Sequence, residues 1–455
     1  MIVLRNCYYL DSPEVADPSS GWDLLLNEGR IERIALDIEE PVGSEVIDCS
    51  HHVVVPGFVN THHHFFQTLT RNLRRAQNAK LFDWLVYHYE IWKHLDAQAI
   101  RVSTLLACAE LLKTGCTCTT DHHYLYPGTI ASDPAFDLAG IQFEAAGELG
   151  IRFSPSRGSM SLGRGRGGLP PDSCVQDEAA IIEDSRRVIE QYHDPAPAAM
   201  RKVTLAPCSP FSVGPDLMRE SARLARAHGV LLHTHLAETA DEDDYCLETY
   251  GKRPLALMEE WEFIGSDVSY AHGVHFTDEE ISRLAETGTG VCHCPSSNMR
   301  LGSGIARVSE MLCAGVPVSI GVDGSASNDS SDYLGELRMA MLLQRVRYGA
   351  DSLGAREVLS IGSQQGARML GFVECGELRT GWAADLAAFD VHGLEYAGAQ
   401  SDPLAAPVFA GIGHQSDYTI VDGRVVVERG RLTGTDEGLL AAEANHAAAA
   451  LLATR

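Results

Sequence analysis

Between residues 58 and 323 the chain repeats one alternation eight times. A short apolar run ends in polar residues, and a stretch with helical spacing or a loop follows. The apolar runs fall at 58–62, 116–121, 151–154, 203–206, 230–235, 268–272, 290–293 and 318–323. Parallel strands cannot be joined by tight turns, so they need crossover segments such as helices. Eight strand-plus-helix units is the count that closes a (β/α)8 barrel. Helix signals fill the gaps. Residues 98–113, 138–149 and 305–314 carry helical spacing, 217–228 runs to a stop at Gly229, and Thr277-Asp278-Glu279-Glu280 reads as a capping box. Residues 158–173, rich in Gly, Arg and Pro, read as a long loop. An open doubly wound sheet is the alternative. It lacks support because no glycine-rich dinucleotide turn is present and polar residues gather at many different strand ends. The expected class is α/β with a TIM-type (β/α)8 barrel.

The two ends of the chain have a different texture. Residues 2–4, 23–26, 31–34, 46–48 and 53–55 are short apolar strands with a turn at Asn27-Glu28-Gly29-Arg30, and Pro56-Gly57 then breaks the pattern. Strands return at 384–389 and 417–421, and the hairpin turn Asp422-Gly423 leads into 424–427. Both ends are expected to fold together as one small β-sandwich. The expected division is 1–57 for its first part, 58–374 for the barrel, and 375–455 for its second part with an Ala-rich final helix at 436–453.

Charge narrows the partners. Of 455 residues, 36 are Lys or Arg and 62 are Asp or Glu, a net charge of -26. Such a surface repels phosphate backbones and anionic lipid. No nucleic acid and no membrane are expected as partners; a small-molecule substrate and a homo-oligomer are compatible. The twelve cysteines include no CxxC pair, although Cys116/Cys118 and Cys292/Cys294 share strand faces. They read as reduced core thiols, which fits a cytoplasmic location. The start of the chain lacks a basic, apolar leader, and no run of about 18 apolar residues occurs.

Chemistry gathers at the strand ends, the face where barrels of this kind place their active sites. In Asn60-Thr61-His62-His63-His64, residues two apart share a face, so His62 and His64 can reach one metal while His63 points away. In His233-Thr234-His235-Leu236-Ala237-Glu238, His235 is the third ligand. Glu238 is placed to act as general acid/base, since a desolvated carboxyl holds its proton to higher pH. His233 reads equally as a support for the ligands or as a structural histidine. His272, directly ending its strand, is expected to orient or polarise a water; His275 falls in the next turn. Asp323, between Gly321 and Gly324, is the fourth ligand and a proton acceptor, and the glycines let backbone and substrate approach closely. Three His and one Asp leave room for water on one Zn2+ per subunit, and Fe2+ or Mn2+ suits the same set. The segment Ala206-Pro207-Cys208-Ser209-Pro210 offers no lysine to bridge a second metal, which favours one ion.

The segments Pro56-Gly57-Phe58-Val59-Asn60-Thr61-His62-His63-His64, His235-Leu236-Ala237-Glu238-Thr239, His272 and Gly321-Val322-Asp323-Gly324 together resemble the amidohydrolase superfamily. The similarity is to its mononuclear-zinc deaminases of purines, pterins and triazines, and it covers nearly the whole chain. Trp382 departs from the pattern, where a lysine is usual after Gly381. Further blocks, including Asp121-His122-His123-Tyr124-Leu125, Arg157-Gly158-Ser159-Met160 and Cys294-Pro295-Ser296-Ser297-Asn298, resemble the branch that acts on oxidised purines. The resemblance implies hydrolysis of 8-oxoguanine to urate and ammonia. Guanine, isoxanthopterin or a hydroxyatrazine-type triazine is the alternative substrate, and a metal-free scaffold on the same fold is the alternative of another class. By the same resemblance Gln67 meets the substrate through its amide. Arg157 is expected either at an oxo group or in a barrel ion pair. Trp84, Tyr87 and Trp92 fall in a long segment placed to act as an aromatic lid or as core, with Trp92 taken as a substrate contact. His123 is a further substrate contact, not a ligand.

Overall fold

The computed structural model describes residues 1–127, 136–411 and 413–454. In chain order the strands are β1 (Ile2–Cys7), β2 (Tyr9–Leu10), β3 (Trp22–Asn27), β4 (Arg30–Ala35), β5 (Glu45–Asp48), β6 (His52–Pro56), β7 (Phe58–Asn60), β8 (Cys116–His123), β9 (Arg152–Ser159), β10 (Thr204–Pro207), β11 (Leu231–Leu236), β12 (Val268–His272), β13 (Gly290–His293), β14 (Val318–Ile320), β15 (Leu386–Asp390), β16 (Tyr418–Val421), β17 (Arg424–Glu428) and β18 (Arg431–Leu432).

Strands β7 to β14 form one sheet in sequence order, and each neighbouring pair is parallel. The two ends of this sheet meet. Thr61 N donates to Ile320 O at 3.1 Å and Asp323 N donates to His62 O at 3.1 Å. The eight strands therefore make a (β/α)8 barrel, and the seam that closes it carries two of the expected metal ligands. All residues of β8 to β10, β12 and β13 are buried, as expected for parallel strands covered on both faces.

Helices lie between the strands. The capping box at Thr277 is formed, with Thr277 Oγ1 accepting from Glu280 N at 3.2 Å and Glu280 Oε2 accepting from Thr277 N at 2.9 Å. Two segments differ from expectation. Strand β9 runs on to Ser159, into the expected loop, because Arg157, Gly158 and Ser159 continue the ladder with Leu205, Ala206 and Pro207 of β10. The segment holding Trp84 and Trp92 contains a helix, Leu81–Trp92, whose buried face carries both rings.

The chain ends supply two more sheets, ordered β4-β3-β1-β5 and β18-β17-β16-β15-β6-β2. The six-stranded sheet joins β6 from the N-terminal part to β15 from the C-terminal part, antiparallel, with Val54 opposite Ala388. Ile2, Leu4, Leu24, Leu26 and Ile47 of one sheet share a core with Val54, Leu386 and Ile420 of the other. The final helix is Glu437–Ala453. All twelve cysteines are free thiols, and all but Cys313 are buried. Among the described residues no helix is long and apolar enough to cross a membrane.

Candidate active site

The strand ends place four donor atoms around one point. His64 Nε2 lies 3.1 Å from His235 Nε2 and 3.2 Å from Asp323 Oδ1, and His62 Nε2 lies 3.5 Å from the same oxygen. Tetrahedral ligation with bonds of about 2.0–2.1 Å separates neighbouring donors by roughly 3.3–3.4 Å. The observed separations match that. All four side chains are buried.

The opposite nitrogen of each imidazole is already committed. His64 Nδ1 donates to His122 O at 2.8 Å and His235 Nδ1 donates to Cys208 O at 2.7 Å. His62 Nδ1 lies 2.9 Å from His233 Nε2, whose own Nδ1 lies 2.8 Å from Ser269 Oγ. This settles the role left open for His233: it holds the His62 ring. Bonds to backbone carbonyls fix the tautomer, so the Nε2 lone pairs of His64 and His235 face inward, as metal ligation requires. His62 Nε2 is buried with no hydrogen-bond partner in the protein. A cluster of inward lone pairs beside a carboxylate fits a divalent cation. Burial lowers the pKa of His62 and His235 well below the usual imidazole range, which keeps them neutral. Burial alone would raise the Asp323 carboxyl, but the His62 and His64 imidazoles beside it hold it well below the usual range.

Local backbone serves the same geometry. Ala237, His272 and Asp323 all have positive φ, of 54°, 75° and 61°. Each bends the chain at or just beyond the end of a strand, and such strain in non-glycine residues concentrates at functional sites. The glycines beside Asp323 make room for protein rather than for substrate. A Cβ on Gly321 would come within 2.6 Å of His62 Cβ, and one on Gly324 would meet the Gln67 amide oxygen at 2.0 Å.

Glu238 lies in the wall beside this centre. Its carboxyl is pushed well above the usual range, first by burial and then by the negative charge of Asp323. Oε2 lies 3.5 Å from His272 Nε2, and Oε1 has no protein partner. His272 in turn is held by Asn298, whose Oδ1 lies 3.0 Å from Nδ1. The loop carrying Glu238 is clamped by the buried Glu242, which accepts from Ala237 N at 3.0 Å and Glu238 N at 2.9 Å. Residue spacing gave no hint of that clamp, since Glu242 reads as one more acidic residue at a helix start.

A cavity opens onto these groups. His64, Gln67, His235, Glu238, His272 and Asp323 line it, together with an apolar wall that includes Trp84, Tyr89, Tyr124 and Phe211. The structure thus brings Gln67 to the cavity, with its Oε1 buried and unpartnered.

Three expected substrate contacts are not part of that wall. Arg157 is engaged elsewhere: Nε donates to Asp184 at 2.6 Å, Nη2 to Gln176 Oε1 at 3.0 Å, and the guanidinium stacks on Tyr126. This is the barrel ion pair weighed as its alternative. His123 sits on the outer face of β8, bonded to Leu125 O at 2.7 Å and packed against Phe66. Trp92 is wholly buried, its Nε1 donating to Thr70 Oγ1 at 3.1 Å; the other tryptophan of its helix, Trp84, lines the cavity instead.

His122 is the residue that sequence reasoning passed over. It groups with His62, His64 and His235 as a potential ligand. Its ring stacks on His235 at 4.7 Å and its Nε2 donates to Ala206 O at 2.9 Å. The available signal was strand parity: of two adjacent histidines ending β8, only one can face the barrel axis.

Residues 53–426 match the model of the amidohydrolase family. The chain is 44% identical over 452 residues to 8-oxoguanine deaminase of Pseudomonas aeruginosa, covering 99% of each chain. It is 38% identical over 440 residues to hydroxydechloroatrazine ethylaminohydrolase of Pseudomonas sp. (strain ADP), covering 94% of this chain and 90% of that one. Among solved structures, atrazine chlorohydrolase TrzN from Arthrobacter aurescens, complexed with zinc, superimposes with a TM-score of 0.93 at 29% identity, covering 98% of this chain and all of that one.

Proposed function

Since the chain belongs to the amidohydrolase family, we propose that it is a zinc-dependent aminohydrolase converting 8-oxoguanine and water to urate and ammonia. The observation that carries the chemistry is the convergence of three imidazoles and one carboxylate beside a buried, proton-holding Glu238. The substrate rests on the 44% identity to the deaminase across the full length.

In this reading His62, His64, His235 and Asp323 hold the ion. A bound zinc would supply Lewis acidity, bringing the pKa of a coordinated water down to about 7. The remaining work belongs to the protein. Glu238 enters the reaction protonated, because burial disfavours its anion. It delivers that proton to the ring nitrogen next to the carbon bearing the exocyclic amine, which relieves negative charge in the ring as water adds. His272, fixed by Asn298, faces Glu238 and orients the attacking water. Asp323 accepts a proton from that water. The proton on Asp323 passes to the departing amine, the proton of the added hydroxyl returns to Glu238, and the centre collapses with loss of ammonia.

The cavity wall fits a flat heterocycle. Gln67 offers an acceptor and donors on one rigid amide, the complement of a lactam edge. The aromatic wall of Trp84, Tyr89, Tyr124 and Phe211 excludes bulk water around the ring.

A related heterocycle is the second reading, favoured by the 38% identity to a hydroxytriazine-type aminohydrolase and the close superposition on a triazine hydrolase. Release of ammonia from 8-oxoguanine, guanine and isoxanthopterin, and of ethylamine from an ethylamino-substituted hydroxytriazine, at equal concentrations of zinc-loaded enzyme, separates the readings. Preference for 8-oxoguanine supports the first. Turnover of only the pterin or the triazine replaces it with the second.

A further inference from the structure

A second set of metal-ligand side chains lies on the sandwich, remote in the fold from the barrel cavity. His51, Asp390 and His392 are all exposed, and their donor atoms lie within 4.8 Å of one another. Backbone pairing brings them together. Strands β6 and β15 pair with His52 opposite Asp390, and Val391 N donates to His51 O at 3.0 Å. His51 and His392, 341 positions apart in the chain, are thereby held with ring centroids 4.3 Å apart.

Each group is partly oriented already. His392 N donates to Asp390 Oδ1 at 2.8 Å, which fixes the carboxylate. His392 Nδ1 lies 3.3 Å from His51 O, so the Nε2 lone pair remains to bind. Tyr8 packs edge-on against the His392 ring at 4.8 Å. The neighbouring His52 is turned away to Asp417, at 2.8 Å, and does not compete.

We propose that His51, Asp390 and His392 form a second metal site, which takes a divalent ion of the zinc class with water completing its shell. Two imidazoles and one carboxylate are the donor types that such ions prefer. The net charge of -26 raises the local concentration of cations. An ion here bridges the N-terminal part of the sandwich to its C-terminal part. Because the three donors meet only in the folded chain, binding stabilises the fold.

The test is calorimetric titration of zinc chloride into holoenzyme that already carries its barrel metal. Wild type is compared with His392→Ala, His51→Ala and Asp390→Asn. Wild type is expected to take up one further equivalent, raising its Tm. His392→Ala and His51→Ala are expected to bind that equivalent at least about tenfold more weakly, with no rise in Tm at the same zinc concentration. kcat is expected to be the same in all four proteins, since none of these residues touches the cavity. Equal uptake by wild type and both histidine variants would overturn the proposal. So would no further equivalent in wild type, or uptake only at millimolar zinc, which marks adventitious surface binding.

Discussion

The two ends of the barrel bury charge in opposite ways. Near the N-terminal end, Arg152 opens β9 wholly buried. It forks onto Asp385, with Nε to Oδ2 at 2.8 Å and Nη2 to Oδ1 at 3.0 Å, and Nη1 also donates to Ala199 O at 2.7 Å. Asp385 accepts in addition from Asp422 N at 2.8 Å. Every group has its complement. At the C-terminal end, His62 Nε2, Gln67 Oε1 and Glu238 Oε1 are equally buried and have no hydrogen-bond partner in the protein. Orphaned buried polar atoms are costly and rare. A satisfied charge cluster therefore marks a joint of the fold, here between barrel and sandwich, and an unsatisfied one marks a place built for ligands.

The comparison predicts opposite responses to substitution. The largest effect on activity is expected from removing the metal. Chelation, or His235→Ala, should abolish ammonia release, and zinc should restore the chelated wild type but not the variant. Elemental analysis alongside the assay checks this. At the other end Asp385→Ala leaves Arg152 buried without its counter-charge, which is expected to destabilise by about 3–5 kcal/mol. Chemical denaturation measures that loss, and the activity per folded molecule should stay at the wild-type level. Loss of turnover without loss of stability in Asp385→Ala would erase the distinction between the two ends.

Gln67→Leu sharpens the contrast inside the cavity. It removes a buried acceptor with no protein partner, so stability should hold or rise. Losing its contact to substrate should cost about 1–3 kcal/mol in kcat/KM, roughly five- to 150-fold. Steady-state kinetics and Tm on one preparation check both parts.

The smallest effect concerns Glu336, which burial pushes up to about 8 although Ser296 N and Asn328 Nδ2 bond to it at 2.9 and 3.1 Å. Its folded pKa exceeds the ordinary value of 4.5, so the fold binds its proton more tightly than the unfolded chain does. That contribution is complete below pH 4.5 and is lost as pH rises through about 8. The Tm of wild type relative to Glu336→Gln should therefore fall between pH 5 and pH 9. A flat difference would contradict the assignment.

The barrel was legible because parallel strands buried on both faces read as apolar runs, and because each run ended in residues out of place in a core. His62, His64, His235 and Asp323 were legible as a set for that reason. What stayed hidden depended on direction and on partners. His122 and His123 are adjacent in sequence, and only the pleat decides that the first faces the axis. Arg157 pairs with His123 across β8 and β9 and shares its outer face, where it meets Asp184; only the register of the two strands reports that direction. Glu242 grips two backbone amides that no side-chain pattern reports. Trp84 and Trp92 share the buried face of one helix, but only Trp84 reaches the cavity.

Glu238→Gln tests the central claim most directly. The variant and wild type are loaded with zinc, their metal content is measured, and ammonia release from 8-oxoguanine is followed in both. The account predicts equal zinc content and a turnover lower by about 10²–10⁴-fold, because the amide cannot deliver the proton. Turnover near the wild-type rate, with zinc bound, would contradict it.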